Sequence, residues 1–106
     1  MVKVMYIITP KAGMSRGDFQ RYWLEVHAPI VKRIPHLKRY VINVFPPRSD
    51  DMSAAIGGIA EQWFESLETM KTAFSTADAK HARADIENFA EAPRNNAALV
   101  DEHIVV

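Results

Sequence analysis

The order in which strand-like and helix-like segments follow one another is what most constrains the fold of this chain. Four segments are apolar and rich in β-branched or aromatic residues, which is typical of strands. These segments are residues 2–9, 37–46, 56–64 and 98–106. Between the first two, and again between the last two, apolar residues recur at intervals of three and four, the period of a helix. The helical stretches are residues 15–34 and 66–90, the second with a break near residues 75–76.

This β-α-β-β-α-β order predicts an α+β, ferredoxin-like fold, a four-stranded antiparallel sheet with both helical stretches on one face. The length of 106 residues leaves room for one domain, spanning residues 1–106. Within residues 4–8 of the first strand, apolar side chains occupy both alternating faces, so the sheet face away from the helices is also apolar. A bare apolar face is an interaction surface. Pairing two sheets face to face would bury it, so we expect a homodimer.

The first helical stretch contains a histidine and, two residues later, a proline. Pro29 removes a backbone hydrogen bond at a cost of roughly 3 kcal/mol in a regular helix interior, so we predict a kink, or a break into two short helices, near residues 28–29. His27 follows Trp23 by four positions and precedes Val31 by four. That spacing places His27 on the apolar side of the helix, just before the proline.

His27 is the first candidate for chemistry. A neutral imidazole titrates near pH 6.5 when unperturbed, which suits a general acid or base. A broken helix would also leave backbone carbonyls unpaired beside it. The alternative is a core histidine that bonds a loop carbonyl and rigidifies the kink. The residue pattern leaves both interpretations open.

Polar-tipped side chains within the predicted strands are the other candidates. Buried tyrosine hydroxyls such as those of Tyr6 and Tyr40 find partners, and in a pocket they can donate to a carbonyl oxygen. Alternation places Gln62 and Phe64 on one face of the third strand and residues 61 and 63 on the other. Aromatic residues in strands also serve as ordinary core.

Charge and residue usage exclude several function classes. The formal net charge is zero, which argues against a nucleic-acid or anionic-membrane partner. Residues 1–50 nevertheless carry +6 and residues 51–106 carry −6, which fits intramolecular packing or self-association. There are no cysteines, so disulfides, zinc-thiolate sites, iron–sulfur clusters and thiol nucleophiles are excluded. No apolar run is long enough for a signal peptide or a membrane span, so we expect a soluble cytoplasmic protein.

Metal and cofactor signatures are weak. His81 and Asp85 stand four apart on a predicted helix and His103 lies in the last strand, but no three ligands cluster. The His81–Asp85 pair is typical of a solvated helix face. There is no glycine-rich dinucleotide or phosphate-loop motif. The sequence therefore predicts neither a metal site nor a cofactor.

Residues 19–43 carry a family resemblance. The segment FQRYWLEVHAPIVKRIPHLKRYVIN is similar to the signature of the EthD-like family in the dimeric α/β-barrel superfamily. That signature joins an F-x-x-Y-W…V-H-A-P segment to a P-x-L-x-x-Y segment leading into the second strand. Tyr6 and the third-strand residues 61–64 (EQWF) also match.

The resemblance implies a subunit that dimerises through its sheet into an α/β barrel, with a pocket between sheet and helices. It implies catalytic roles for His27 and Tyr40 and a ligand-binding wall made by Tyr6, Trp23, Gln62 and Phe64. Isomerase relatives have a cysteine where this chain has Gln62, which excludes their thiol-dependent chemistry here. The superfamily hosts many unrelated reactions, so fold kinship alone does not give the function.

Three hypotheses follow. The first is a small cofactor-independent catabolic enzyme, of isomerase, dehydratase or oxidoreductase type, acting on a hydrophobic oxygenated small molecule. In it His27 is the general acid/base and Tyr40 donates a hydrogen bond to a developing enolate. The second is a non-catalytic accessory or ligand-binding dimer that supports a monooxygenase degradation pathway. In the third, His27 only locks the helix irregularity.

Overall fold

One antiparallel sheet carries the helices on one face. The computed structural model describes residues 1–46, 56–91 and 96–106. The strands are β1 (Val2–Pro10), β2 (Arg39–Val44), β3 (Gly58–Phe64), β4 (Ala90–Glu91) and β5 (Ala97–Val100). The helices are α1 (Arg16–Tyr22), α2 (Ala28–Val31), α3 (Leu67–Phe74) and α4 (Ala77–Asp85). A π-helical turn (Trp23–His27) joins α1 to α2, and a 3₁₀ turn (Ile86–Asn88) follows α4.

The strand order confirms the ferredoxin-like fold. β2 pairs with β3 and β3 pairs with β1, while the short strands β4 and β5 share the other edge of β1, each pairing antiparallel. β4 reaches only Thr9 and Pro10 of β1, and β5 pairs with residues 3–6. The predicted fourth strand is therefore divided between two short segments.

The predicted extent of the last strand, residues 98–106, is wrong. β5 begins at Ala97 and ends at Val100, and residues 101–106 are exposed. The register explains the difference, because Val100 pairs with Lys3 and β1 begins at Val2. Only Val2 of β1 lies beyond that pair, so a longer β5 would find almost no β1 backbone to hydrogen-bond.

The helix irregularity before Pro29 takes the form of a π turn. The Ala28 N–H bonds to the carbonyl of Trp23, five residues back, and Pro29 then lies in the first turn of α2. A proline there costs little, because the first N–H groups of a helix lack intrahelical partners. His27 and Val31 lie on the buried face of this stretch, whereas the neighbouring apolar residue Val26 is 43% exposed.

Two aromatic clusters fill the space between sheet and helices. In the first, Phe19 lies with its ring centroid 5.4 Å from that of Trp23 and 5.7 Å from that of Phe89. In the second, the rings of Phe64 and Phe74 meet edge to face at 5.2 Å. The backbone is closely approached at residues 57–58, since a Cβ built on Gly57 would overlap the Phe19 ring and one built on Gly58 would overlap the Asn43 carbonyl.

The sheet face away from the helices is partly apolar and partly charged. Lys3, Met5 and Ile7 share this face. The Nζ of Lys3 lies 2.9 Å from carboxylate oxygens of both Glu61 and Glu102. The Lys3 ammonium also lies 5.0 Å from the centre of the Trp63 ring. Within the described residues, no helix is long and apolar enough to cross a membrane.

Candidate active site

A cavity of about 290 Å³ lies between the sheet and the helices. Small side chains on the facing surfaces leave this space open, since larger ones would fill it. They are Ala60, Ala79, Ala82 and Ala97. The volume is near the lower end of the range of about 300–1,000 Å³ in which small-molecule sites fall.

His27 reaches the cavity wall through the π turn, which places its ring and that of Trp23 on the same buried side. Its Nδ1 lies 2.8 Å from Oδ2 of Asp85, the last residue of α4. His27 is 5% exposed and Asp85 is 7% exposed. The Phe89 ring lies 4.7 Å from the imidazole, centroid to centroid. The pair is thus enclosed and sterically restrained.

Asp85 is held in turn by polar side chains on its other oxygen. Its Oδ1 accepts hydrogen bonds from the Tyr22 hydroxyl at 2.7 Å and from Nδ2 of Asn88 at 2.9 Å. These donors come from α1 and from the turn after α4. They fix the carboxylate plane and so the direction in which it meets His27.

The protonation states of the pair follow from its surroundings. Burial lowers the pKa of His27, although the hydrogen bond to Asp85 and the charge of Asp85 act in the opposite direction. Burial raises the pKa of Asp85, but hydrogen bonds from Tyr22, Asn88 and His27 outweigh it and leave that pKa below its usual value. A neutral imidazole therefore meets an ionised carboxylate near neutral pH. A carboxylate can only accept, so the proton is on Nδ1 and Nε2 keeps its lone pair.

Two tyrosines contribute hydroxyl groups to the same cavity. Burial raises the pKa of Tyr6 to about 12. Burial also raises the pKa of Tyr40, against a hydrogen bond with Trp23 that lowers it. A protonated phenol can donate its O–H, so the Tyr40 hydroxyl is a donor. Both tyrosines are therefore neutral donors at physiological pH.

Gln62 supplies an acceptor. It lies beside Tyr40 across the β2–β3 pairing, lines the cavity and is 6% exposed. Among the described residues, its Oε1 is a buried side-chain atom without a hydrogen-bond partner. The great majority of buried polar atoms in folded proteins are hydrogen-bonded, so this oxygen requires an explanation.

The structure brings most of the residues predicted from sequence to one place. The residues lining the cavity include His27, Tyr40, Tyr6, Trp23 and Gln62. Phe64 shares the strand face of Gln62, as alternation predicted, but it is completely buried against Phe74 in the second aromatic cluster. Within the described residues it is not part of the cavity wall.

Asp85 is the residue that the sequence analysis misjudged. The pair with His81 was interpreted as a solvated face, whereas Asp85 is buried and only His81 is exposed. The partner of His27 Nδ1 is this carboxylate and not a loop carbonyl. One signal was present, because Asp85 continues the three-residue spacing of the buried Ala79 and Ala82 along α4. In the part of the chain that the structure describes, no three potential ligands could together hold a metal ion.

Solved structures with the same fold include proteins of different description. An EthD family protein from Bacillus halodurans has a TM-score of 0.74 at 20% identity, over 98% of this chain and 99% of that chain. SnoaB, a cofactor-independent oxygenase from Streptomyces nogalater, has a TM-score of 0.67 at 10% identity, over 99% of this chain and 95% of that chain. A dimeric ferredoxin-like protein of unknown function from Jannaschia has a TM-score of 0.62 at 12% identity, over 97% and 98%. Identities this low establish the fold alone.

Sequence comparison adds the family. The chain is 29% identical to an uncharacterised 11.0 kDa protein of the thcB–thcC intergenic region of Rhodococcus erythropolis, over 68% of this chain and 69% of that protein. The family model of the EthD domain matches residues 11–93, which contain His27, Tyr40, Gln62 and Asp85. This protein belongs to the EthD family.

Proposed function

We propose that this protein is a small enzyme, working without a cofactor, that uses His27 as an acid/base on a hydrophobic oxygenated small molecule. One observation carries the proposal: Asp85 holds Nδ1 of a buried, neutral His27 in the wall of a largely apolar cavity. That contact leaves Nε2 as the basic nitrogen available to a ligand. The SnoaB neighbour, described as a cofactor-independent oxygenase, supports the proposal of an enzyme that works without a cofactor.

The proposed step is removal of a proton from the carbon next to a carbonyl group. The proton passes to Nε2 of His27, and the electron pair of the C–H bond moves onto the carbonyl oxygen. Asp85 stabilises the imidazolium, while the Tyr40 hydroxyl donates a hydrogen bond to the enolate oxygen. Return of the proton at another carbon is an isomerisation, and loss of a neighbouring hydroxyl group as water is a dehydration. Positioned acid–base groups contribute roughly 10²–10⁴-fold to such steps.

The test measures enolisation itself and does not require the natural substrate. 2-Tetralone is a bicyclic ketone of suitable size, and exchange of its α-protons for deuterium in D₂O can be followed by NMR. We expect the protein to accelerate exchange over buffer. His27→Asn should lose that acceleration, because an asparagine amide can still donate to Asp85 but offers no basic nitrogen. His81→Asn, at an exposed histidine, is the matched control and should retain it. No acceleration by the unmodified protein, or equal acceleration by His27→Asn, contradicts the proposal.

The second candidate is a non-catalytic accessory or ligand-binding protein of a monooxygenase pathway. The unpaired acceptor of Gln62 favours it, because a binding protein needs such a group whether or not turnover follows. This candidate predicts that 2-tetralone binds, as measured by calorimetry, while its exchange rate in D₂O stays at the buffer value.

Either candidate is proposed to act as a homodimer. Met5 and Ile7 lie on the outer sheet face, opposite the helices that the structure describes, and the Jannaschia protein with this fold is described as dimeric. Light scattering should give twice the chain mass of 12.0 kDa. Ile7→Glu, at a residue 45% exposed in the single chain, should shift that mass toward the monomer. A monomeric unmodified protein contradicts the dimer.

A further inference from the structure

We propose that Gln62 selects ligands carrying an uncharged hydroxyl group, which donates a hydrogen bond to its Oε1 inside the cavity. This deepens the proposed function, since it rests on the same cavity, and it names the class of ligand. The class is a compact hydrocarbon skeleton bearing a hydroxyl group, such as a phenol or a hydroxyketone.

The unpaired oxygen is the first support. Gln62 is more than nine-tenths buried and lines the cavity, and its Oε1 lacks a partner among the described residues. In the free protein this oxygen is buried from solvent and unpaired within the part of the chain that the structure describes. A ligand hydroxyl that donates to it removes the cost of a buried acceptor without a partner.

The neighbouring groups define what else the ligand carries. Tyr40, beside Gln62 across the strands, lines the cavity, and its hydroxyl can donate. Tyr6 pairs with Ala60, which lies two residues before Gln62 on β3, and Tyr6 also lines the cavity. Its hydroxyl is a further donor. Gln62 and His27 are acceptors and the two tyrosines are donors. A molecule with one hydroxyl and one carbonyl oxygen would meet one group of each kind.

The remaining wall favours a hydrocarbon body. Besides small residues, it contains Ile8, Val31, Ile34, Phe74 and Ile86, with Arg83 and Asn96 as further polar members. Polar specificity is then concentrated in few groups, as is usual for small-molecule sites. Removing the acceptor of Gln62 should change selectivity between hydroxylated and non-hydroxylated ligands more than it changes affinity for the hydrocarbon skeleton.

The test compares two probes and two proteins. 2-Naphthol presents a donor, whereas 2-methoxynaphthalene has the same skeleton and only an acceptor. By calorimetry at pH 7, we expect the unmodified protein to prefer 2-naphthol by roughly ten- to a hundredfold. Gln62→Met keeps the length of the side chain and removes both polar atoms, so the preference should fall below about threefold. Gln62→Leu is the second variant if Gln62→Met does not fold.

Several results would overturn the inference. It is wrong if neither probe binds, if the unmodified protein does not discriminate, or if the preference for 2-naphthol survives in Gln62→Met. It is also wrong if the protein prefers 2-methoxynaphthalene, because the amide would then present its NH₂ group to the cavity. The proposed enzyme function fails separately, through absent exchange of 2-tetralone, so the two failures can be distinguished.

Discussion

Asp85→Asn should abolish the proposed proton transfer while preserving the shape of the side chain. Oδ1 of Asp85 accepts hydrogen bonds from Tyr22 at 2.7 Å and from Asn88 at 2.9 Å. The oxygen of an asparagine amide can accept both of these bonds. Its NH₂ group cannot take the same position, because it would meet the NH₂ donor of Asn88. The NH₂ group must therefore turn toward His27. Nδ1 then becomes an acceptor, and the imidazole carries its proton on Nε2.

The size of the effect follows from this change of tautomer. An imidazole protonated on Nε2 cannot accept a proton from a ligand in the cavity, so the general-base contribution of roughly 10²–10⁴-fold is lost. The imidazolium also loses its carboxylate partner. We expect the free energy of unfolding to fall by only about 1–3 kcal/mol, because a neutral acceptor replaces a charged one within the same hydrogen bonds.

The assay is deuterium exchange of 2-tetralone, measured on Asp85→Asn after denaturant unfolding has verified the fold. Asp78→Asn is the matched control, because Asp78 is an exposed acid in the first turn of the same helix. It should exchange 2-tetralone at the rate of the unmodified protein. If Asp85→Asn also exchanges at that rate, the carboxylate does not set the tautomer and the reasoning is refuted.

Other predictions concern pH, the cavity and the core. Burial places the pKa of His27 below its usual 6.5. The stability contributed by the neutral imidazole is therefore complete above about pH 6.5 and is lost as pH falls toward the lower folded-state pKa. Denaturant unfolding from pH 7 to 5 should show this loss, and His27→Asn should lack it. Exchange of 2-tetralone should decline with a midpoint below pH 6.5. Ala82→Leu should fill the cavity and weaken 2-naphthol binding at least about tenfold, without lowering the thermal midpoint, as calorimetry and a thermal melt would show. Gly58→Ala should destabilise by about 1–3 kcal/mol, because its Cβ would overlap the carbonyl oxygen of Asn43. Gly17→Ala, with no described atom within 4 Å of its Cβ, should not destabilise the protein. An unchanged Gly58→Ala midpoint in denaturant, or tight 2-naphthol binding by Ala82→Leu, would contradict the corresponding argument.

The fold was predictable because local patterns carry it. Alternation along β1 and β3 and the helical period after Ser15 each depend on neighbouring residues, and their order admits few topologies. The end of the last strand was not predictable in this way. Residues 101–106 contain apolar side chains that suit a strand, but Val100 pairs with Lys3 near the start of β1, and this register is a long-range property.

The candidate site was predictable in part for the same reason. Helical spacing placed His27 beside Trp23, and strand alternation placed Gln62 and Phe64 on one face of the third strand. Alternation alone did not tell which strand face lines the cavity. Asp85 lies 58 residues from His27 in sequence, so their contact depends on how α4 packs against the first helix. An aspartate is normally exposed, and burial here depends on the donors Tyr22 and Asn88, which only the folded chain brings to it.

The most direct test of the central claim is the position of the proton on His27. A long-range ¹H–¹⁵N NMR spectrum of the histidine side chains at pH 7 distinguishes the two neutral tautomers and the imidazolium by their nitrogen shifts. The structure predicts that His27 is neutral, with its proton on Nδ1 and an unprotonated Nε2 whose signal shifts when 2-naphthol is added. A proton on Nε2, or a doubly protonated ring at that pH, would contradict the assignment of His27 as a general base.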